Sequence, residues 1–330
     1  MAIIVLEKAA RKGVLDSRAL WILIVSSLLL AFVQTYYYGG ASYGFDGYDQ
    51  PSRLSSFITA QQFAGFLVVF LTLILWRRDF PLWLRFGTGS VLLLALALNG
   101  SRVWFFGATV VVMIHFALEL RRASIVLALV AGFIATFWLL ASSLQPQRMD
   151  LVNDSSNRIA LTLSALVTGV DSSYSVGLRD LTFRTAIYEG VWNDLASSSL
   201  LELFFGHGTS SGAEAVLRVF PNGYDLDHLD PNRIVHNEWL RASYEWGIAG
   251  LLALIGVFST LTVGLLSMRR ANGLRYRASA ALSFLGAFLL AFSGENILAG
   301  AGNAVTMSLA LILALLWTPQ DHQSRKRSIA

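Results

Sequence analysis

The sequence predicts an all-α fold: a polytopic transmembrane helical bundle of about eight spans with one large, partly helical loop on its outer side. Three observations predict it. Hydrophobic residues make up 55% of the chain and charged residues only 14%, where a soluble domain carries about a quarter. Several apolar runs reach the roughly 20 residues that a bilayer-crossing helix needs. Positive charges gather in short clusters between alternate runs, the distribution that sets orientation in a membrane.

The expected spans are residues 19–38, 58–76, 80–98, 103–120, 123–142, 246–267, 278–298 and 300–317. A basic stretch (Lys8, Arg11, Lys12, Arg18) precedes the first. That run is long and ends in YYYGG rather than in a small-residue cleavage site, so it reads as an uncleaved helix. With the N-terminus inside, inner segments carry Arg77 and Arg78, Arg121 and Arg122, Arg269, Arg270, Arg275 and Arg277, and finally Arg325, Lys326 and Arg327. Short outer loops carry only Arg53 and Arg102. Both termini are therefore expected on the cytoplasmic side. The net charge of +4 sits in these orienting clusters and does not suggest nucleic acid. The absence of cysteine excludes a thiolate metal site.

The chain thus divides into N-terminal spans (1–142), an outer loop (143–235), and C-terminal spans with a cytoplasmic tail (236–330). A loop of that length is functional or disordered, and this one is not of low complexity. In FRTAIYEGVWNDL (183–195), Phe183, Ile187, Val191 and Leu195 recur every four residues, which predicts a helix with an apolar stripe. FFGHGTSSG (204–212) reads as a glycine-rich turn.

HNEWLRASYEWGIAG (236–250) stands where the sixth apolar run begins. Asp230-Pro231 is the expected helix start, with aspartate as N-cap and proline at the first helical position. A continuous helix from there puts His236, Leu240, Ser243, Gly247 and Gly250 on one face, with Glu238, Arg241 and Glu245 able to pair off it. His236 then lies about 15 Å outside the apolar core, at headgroup depth.

The spacing of His236-Asn237 and Gly247-x-x-Gly250 resembles the signature of the bacterial O-antigen ligase and O-antigen polymerase superfamily. LNGSRVWFFG (98–107) resembles its Ser-Arg motif, RTAIYEGVW (184–192) its arginine-bearing loop helix, and FFGHG (204–208) its Gly-His-Gly turn. The order of the pieces agrees over roughly residues 60–318. Family members commonly have about four more N-terminal spans than bilayer lengths give here, which makes this chain a short member or a fragment.

The resemblance implies glycan transfer from an undecaprenyl-pyrophosphate carrier to an acceptor hydroxyl at the periplasmic face of the bacterial inner membrane. The acceptor is lipid A core, another lipid, a protein or a growing glycan, so ligase and polymerase are both open, with ligase preferred. No metal and no cofactor are implied. His236 is carried over as the base, since a neutral imidazole with an ordinary pKa of about 6.5 suits that role, or as the residue that orients the acceptor. Arg102 and Arg184 are carried over as pyrophosphate clamps, because a guanidinium grips phosphate oxygens bidentately. Ser101, Asn237, His207 and Glu295 are candidate supports, Glu295 as partner of an arginine.

Plainer roles compete at each position. Arg102 also reads as an interface anchor, Arg184 as a solvated charge on an amphipathic helix, and His207 as a turn residue. His115 and Arg85 read as structural or snorkelling. DLDHLD (225–230) lacks the glycine-containing spacing of a calcium loop and is not assigned a metal. Outside glycan transfer, a transporter and a non-catalytic export scaffold compete; a transporter would show repeats and midplane polar sites, which the sequence lacks.

Overall fold

The apolar runs become helices in the computed structural model, which describes residues 17–37, 60–77, 80–99, 101–120, 176–219, 235, 237–271 and 274–294. All regular structure among them is helical. The predicted spans 123–142 and 300–317, the segment DLDHLD, His236 and Glu295 lie outside the described residues.

Among the described residues, four helices precede the loop: α1 (Ser17–Tyr37), α2 (Ala60–Trp76), α3 (Leu82–Asn99) and α4 (Arg102–Leu120). After it come α9 (Gly247–Arg270) and α10 (Arg275–Phe292). Two helices among the described residues, α3 and α9, are long and apolar enough to cross a membrane by themselves; the apolar stretches Leu20–Val33, Gln62–Trp76 and Val103–Glu119 are shorter. Large apolar side chains are exposed along α1, α3 and α9, among them Ile22, Leu94 and Val263. Such surfaces suit helices whose solvent is lipid.

The bundle's core forms around α2, where Phe63 to Trp76 are buried almost without interruption save Phe66. It packs against α3, α4 and α10. The closest pairing is α4 with α10, and small residues permit it. A Cβ on Gly107 would sit 3.4 Å from that of Ala287, and one on Gly286 would come within 2.8 Å of Ile114. Trp76 donates its indole N–H to Ser283 Oγ at 3.0 Å and takes the edge of the buried His115 ring at 4.7 Å. Arg85 donates to the Leu75 carbonyl at 3.1 Å, close to the C-terminal end of α2, where a cation is favoured. His115 and Arg85 thus pack the bundle, as their plainer reading has it.

The loop contributes α5 (Val176–Ala196), α6 (Leu200–Phe205) and α7 (Ser211–Val219), and α8 (Glu238–Glu245) follows. The predicted stripe is observed at three of its four positions: Ile187, Val191 and Leu195 are buried against Ala215, Val216, Val235 and Tyr244 in a second core, and the side chain of Phe183 lies outside the described ones. That core comes from α5, α7 and α8 together.

The histidine segment departs from the sequence reading. No continuous helix runs from Asp230: Val235 and Asn237 are non-helical, and Asn237 is the N-cap, its side chain accepting from Leu240 N at 3.1 Å. The helix also breaks at Trp246-Gly247, where Gly247 takes φ +65°. Gly247 is therefore a left-handed hinge rather than part of one small-residue face. The break exposes the carbonyls of Tyr244 and Glu245, and the Gly206-His207-Gly208 turn satisfies them. His207 N–H donates to Tyr244 O at 2.9 Å and Gly208 N–H to Glu245 O at 3.0 Å. The contact is backbone on backbone. A Cβ on Gly206 would lie 2.3 Å from Glu245 O, and one on Gly247 would lie 2.5 Å from Phe204 O.

Gly247→Ala adds left-handed strain to a backbone clash and should cost about 2–4 kcal/mol. Gly208→Ala, whose Cβ meets nothing within 4 Å at φ +99°, carries strain alone and should cost about 1–2 kcal/mol. Thermal unfolding in detergent should therefore rank wild type above Gly208→Ala and Gly208→Ala above Gly247→Ala.

Candidate functional site

The segments singled out in the sequence meet at one end of the bundle. Ser101 is buried and starts α4, its carbonyl accepting from Phe105 N at 3.0 Å, and Arg102 is the first helical residue. Ser101 N–H donates to the buried Asn99 Oδ1 at 3.2 Å, and Ser101 Oγ has no hydrogen-bond partner among the described residues. The amino end of a 19-residue helix favours an anion there.

Next to α4 comes the carboxyl end of α10. A Cβ on Gly294 would lie 2.8 Å from Val103 Cγ2, so the two chain segments touch. From the loop, Arg184 of α5 donates its Nη1–H to Gly294 O at 2.5 Å. A cation at a helix C-terminus is favoured, so this bond both anchors the loop to the bundle and holds one guanidinium beside the start of α4. Arg184 is half-buried rather than a solvated charge. Its partner is the backbone immediately before Glu295, the residue expected to pair with an arginine.

The histidine segment reaches the same end. Trp239, two residues past Asn237, packs edge-on to Phe292 at 5.2 Å and Phe258 at 5.7 Å. Between α5 and α8 runs an open groove of about 630 Å³, within the size range of ligand sites. Tyr188, Glu189, Trp192 and Asn193 line it from α5, Asn237, Trp239, Leu240 and Ser243 from α8, and Leu251 from α9. Asn237, the covalent neighbour of His236, lies in its wall. Leu240 and Ser243 share the face expected for His236, and Tyr188, Glu189 and Trp192 fall in the RTAIYEGVW motif; Asn193, Trp239 and Leu251 were not singled out in the sequence. For Asn193 the signal was present, since positions 188, 189, 192 and 193 share a helical face distinct from the 187, 191, 195 stripe.

Under this floor lies a buried charge cluster. Arg241 Nε is 3.0 Å from Glu238 Oε2 and 4.0 Å from Glu245 Oε2, with all three side chains nearly inaccessible. The expected pairing therefore forms, but inside the protein. His207 stands in the Gly206-His207-Gly208 turn. Its ring stacks flat on Tyr244 at 4.3 Å, with Nδ1 donating to Tyr244 O at 3.3 Å and Nε2 lying 3.1 Å from Ser198 Oγ. Tyr244 in turn donates its hydroxyl to Asp194 Oδ2 at 2.6 Å, and Arg218 pairs with the same carboxylate at 3.1 Å. Burial first, and then the Asp194 carboxylate, push the Tyr244 phenol above its ordinary value of 10.0.

Apolar helices bundled together, two of them long and apolar enough to cross a membrane, make up the described fold, with Ser101, Arg184 and Asn237 on segments that meet at one end. The family model of O-antigen ligase matches residues 87–255, just over half of the chain, and the chain belongs to that family. The match runs from α3 into α9 and takes in Ser101, Arg102, Arg184, His207, His236 and Asn237. The family is one of membrane proteins, of O-antigen ligase and polymerase type, with glycosyltransferase-like activity in O-antigen assembly. No curated protein matches the chain.

Two outcomes check this site. Arg241→Met removes the cation that lies beside two buried carboxylates and should destabilise the protein by about 3–5 kcal/mol, measured as a fall in thermal midpoint. Tyr244→Phe should cost about 1 kcal/mol, because Asp194 keeps Arg218. The raised phenol contributes stability that is fully present below pH 10.0 and is lost as pH rises through the higher folded value. Unfolding followed across that range should therefore show wild type losing its advantage over Tyr244→Phe above pH 10.0.

Proposed function

We propose that this protein is a membrane glycosyltransferase that moves a glycan from undecaprenyl pyrophosphate to an acceptor hydroxyl, at the periplasmic face of the inner membrane, in a ligase reaction. The observation that carries this reading is the meeting of Ser101 and Arg102, of Arg184 on Gly294, and of Asn237 at one end of the bundle. That three stretches far apart in the sequence come together there supports the reading.

In the proposed reaction the acceptor oxygen attacks the anomeric carbon as the bond from that carbon to the phosphate oxygen breaks. The configuration inverts, and the electron pair of the broken bond leaves on the pyrophosphate. His236 takes the acceptor proton or, if proton loss runs late, orients the hydroxyl. Arg102 and Arg184 neutralise the leaving group, aided by the amino end of α4. The groove between α5 and α8 offers aromatic faces with amide and carboxylate groups beside them, a lining that suits sugar rings and their hydroxyls. In this reading both termini are cytoplasmic, the segment 143–235 is periplasmic, and no metal takes part. The acceptor is lipid A core or another lipid or protein anchor; a polymerase would use the next lipid-linked repeat.

His236→Ala should lower transfer by 100-fold or more, the lower bound of what a positioned proton acceptor supplies. Arg184→Lys keeps the charge but loses the planar fork and should lower transfer by about tenfold. Both are read in membranes supplied with the host's lipid-linked glycan, at equal protein abundance, from product size and attachment on a gel. Glycan on a new anchor fits a ligase, and a ladder still on the carrier a polymerase. Equal transfer by wild type and His236→Ala would overturn the catalytic role and favour a scaffold.

A further inference from the structure

Helix α6 is six residues long, reads LLELFF, and takes no part in the site. Only Leu203 turns toward the loop core. Leu200 is 85% exposed, Leu201 71%, Phe204 53% and Phe205 65%. A water-facing surface has little reason to concentrate four large apolar side chains in six positions. Nor is the helix a loose end. Ser199 and Glu202 form a reciprocal capping box at its start, and Gly206 ends it with φ +82° and its N–H bonded to Glu202 O. The backbone clasp of Gly206 on Gly247 then fixes α6 rigidly against the first turn of α9.

That position says what covers the patch. Helix α9 is apolar; beside the face that packs Leu254 and Phe258 on the bundle it presents a broad exposed face, with Leu252 and Val257 each more than half exposed. Because α6 packs on its beginning, the two exposed apolar surfaces are continuous. At the junction stands Trp246, whose indole N–H donates to Thr209 Oγ1 at 3.3 Å. A tryptophan with an apolar body and a satisfied polar edge, at the start of an apolar helix, suits the level of lipid headgroups.

We propose that α6 is an interfacial wedge: its four exposed side chains enter the outer boundary of the same lipid bilayer that surrounds α9. A short helix with polar groups on one side and apolar groups on the other lies in such a boundary with the apolar face among acyl chains. The wedge is coupled to the candidate site through backbone alone. Its last turn clasps the α8–α9 break, and α8 leads directly to Asn237. The height of the histidine segment above the bilayer is thereby set by where α6 seats. This inference rests on α9 being in lipid and is independent of the reaction catalysed.

The chain contains no cysteine, so single labels can be placed in the full-length protein. Leu201→Cys and Phe205→Cys carry a nitroxide in nanodiscs of phosphatidylethanolamine and phosphatidylglycerol. Val257→Cys on α9 is the lipid reference and Glu214→Cys, exposed on α7, the water reference. Collision with oxygen is compared with collision with a water-soluble nickel chelate. The oxygen-to-nickel ratio at positions 201 and 205 is expected to exceed that at 214 several-fold and to approach that at 257. A ratio at 201 and 205 equal to that at 214 overturns the wedge, as does an aqueous ratio at 257. Labels shielded from both reagents and broadened by a label on a second copy would place a protein partner there and also overturn it. No glycan transfer is measured, so this result and the fate of the transferase reading are separable.

Discussion

Much of this architecture depends on one backbone contact: the Gly206-His207-Gly208 turn set into the break between α8 and α9. Breaking a helix at Trp246-Gly247 frees carbonyls that must find other donors. Two N–H groups from the turn satisfy them. The approach is so close that only glycine fits at positions 206 and 247. Because the bonds run through main chain, they fix the loop relative to the apolar helix without relying on any side-chain rotamer. The His207 ring stacked on Tyr244, and the Tyr244–Asp194–Arg218 chain behind it, extend that anchoring into the loop core.

With the loop anchored there, α8 is short and set off from the membrane helix. Its own charges then go inward: Arg241 lies between two buried carboxylates. The outward side of α8 is left to form a groove wall opposite α5. At the far edge, Arg184 on Gly294 provides the second tie between loop and bundle. The candidate site lies between these two ties, which is how a segment on a long loop can be held at one height and one orientation over the bundle.

The bundle beneath provides the platform for a different reason. Its tight pairing of α4 and α10 rests on glycine and alanine, which let backbones approach where the hydrophobic effect gives no help. That pairing brings the amino end of α4 beside the carboxyl end of α10. Opposite helix ends thus lie side by side, one favouring an anion and the other holding Arg184.

The sequence alone determined the helical class, the positions of α1 to α4, α9 and α10, and the α5 stripe, because apolar periodicity and run length are local signals. It also identified the family, through short motifs in a fixed order. The capping box Ser199–Glu202 that starts α6, S-x-x-E ahead of three apolar residues, is an equally local signal that went unread. Only the tertiary structure decided how the histidine helix begins and breaks. A continuous helix through Gly247 satisfies every local rule, and the break is stable only because a turn some forty residues earlier in the chain supplies its hydrogen bonds. The meeting of Arg184 with Gly294, and the groove between α5 and α8, were hidden for the same reason: they join segments whose spacing in the sequence carries no record of their distance in space.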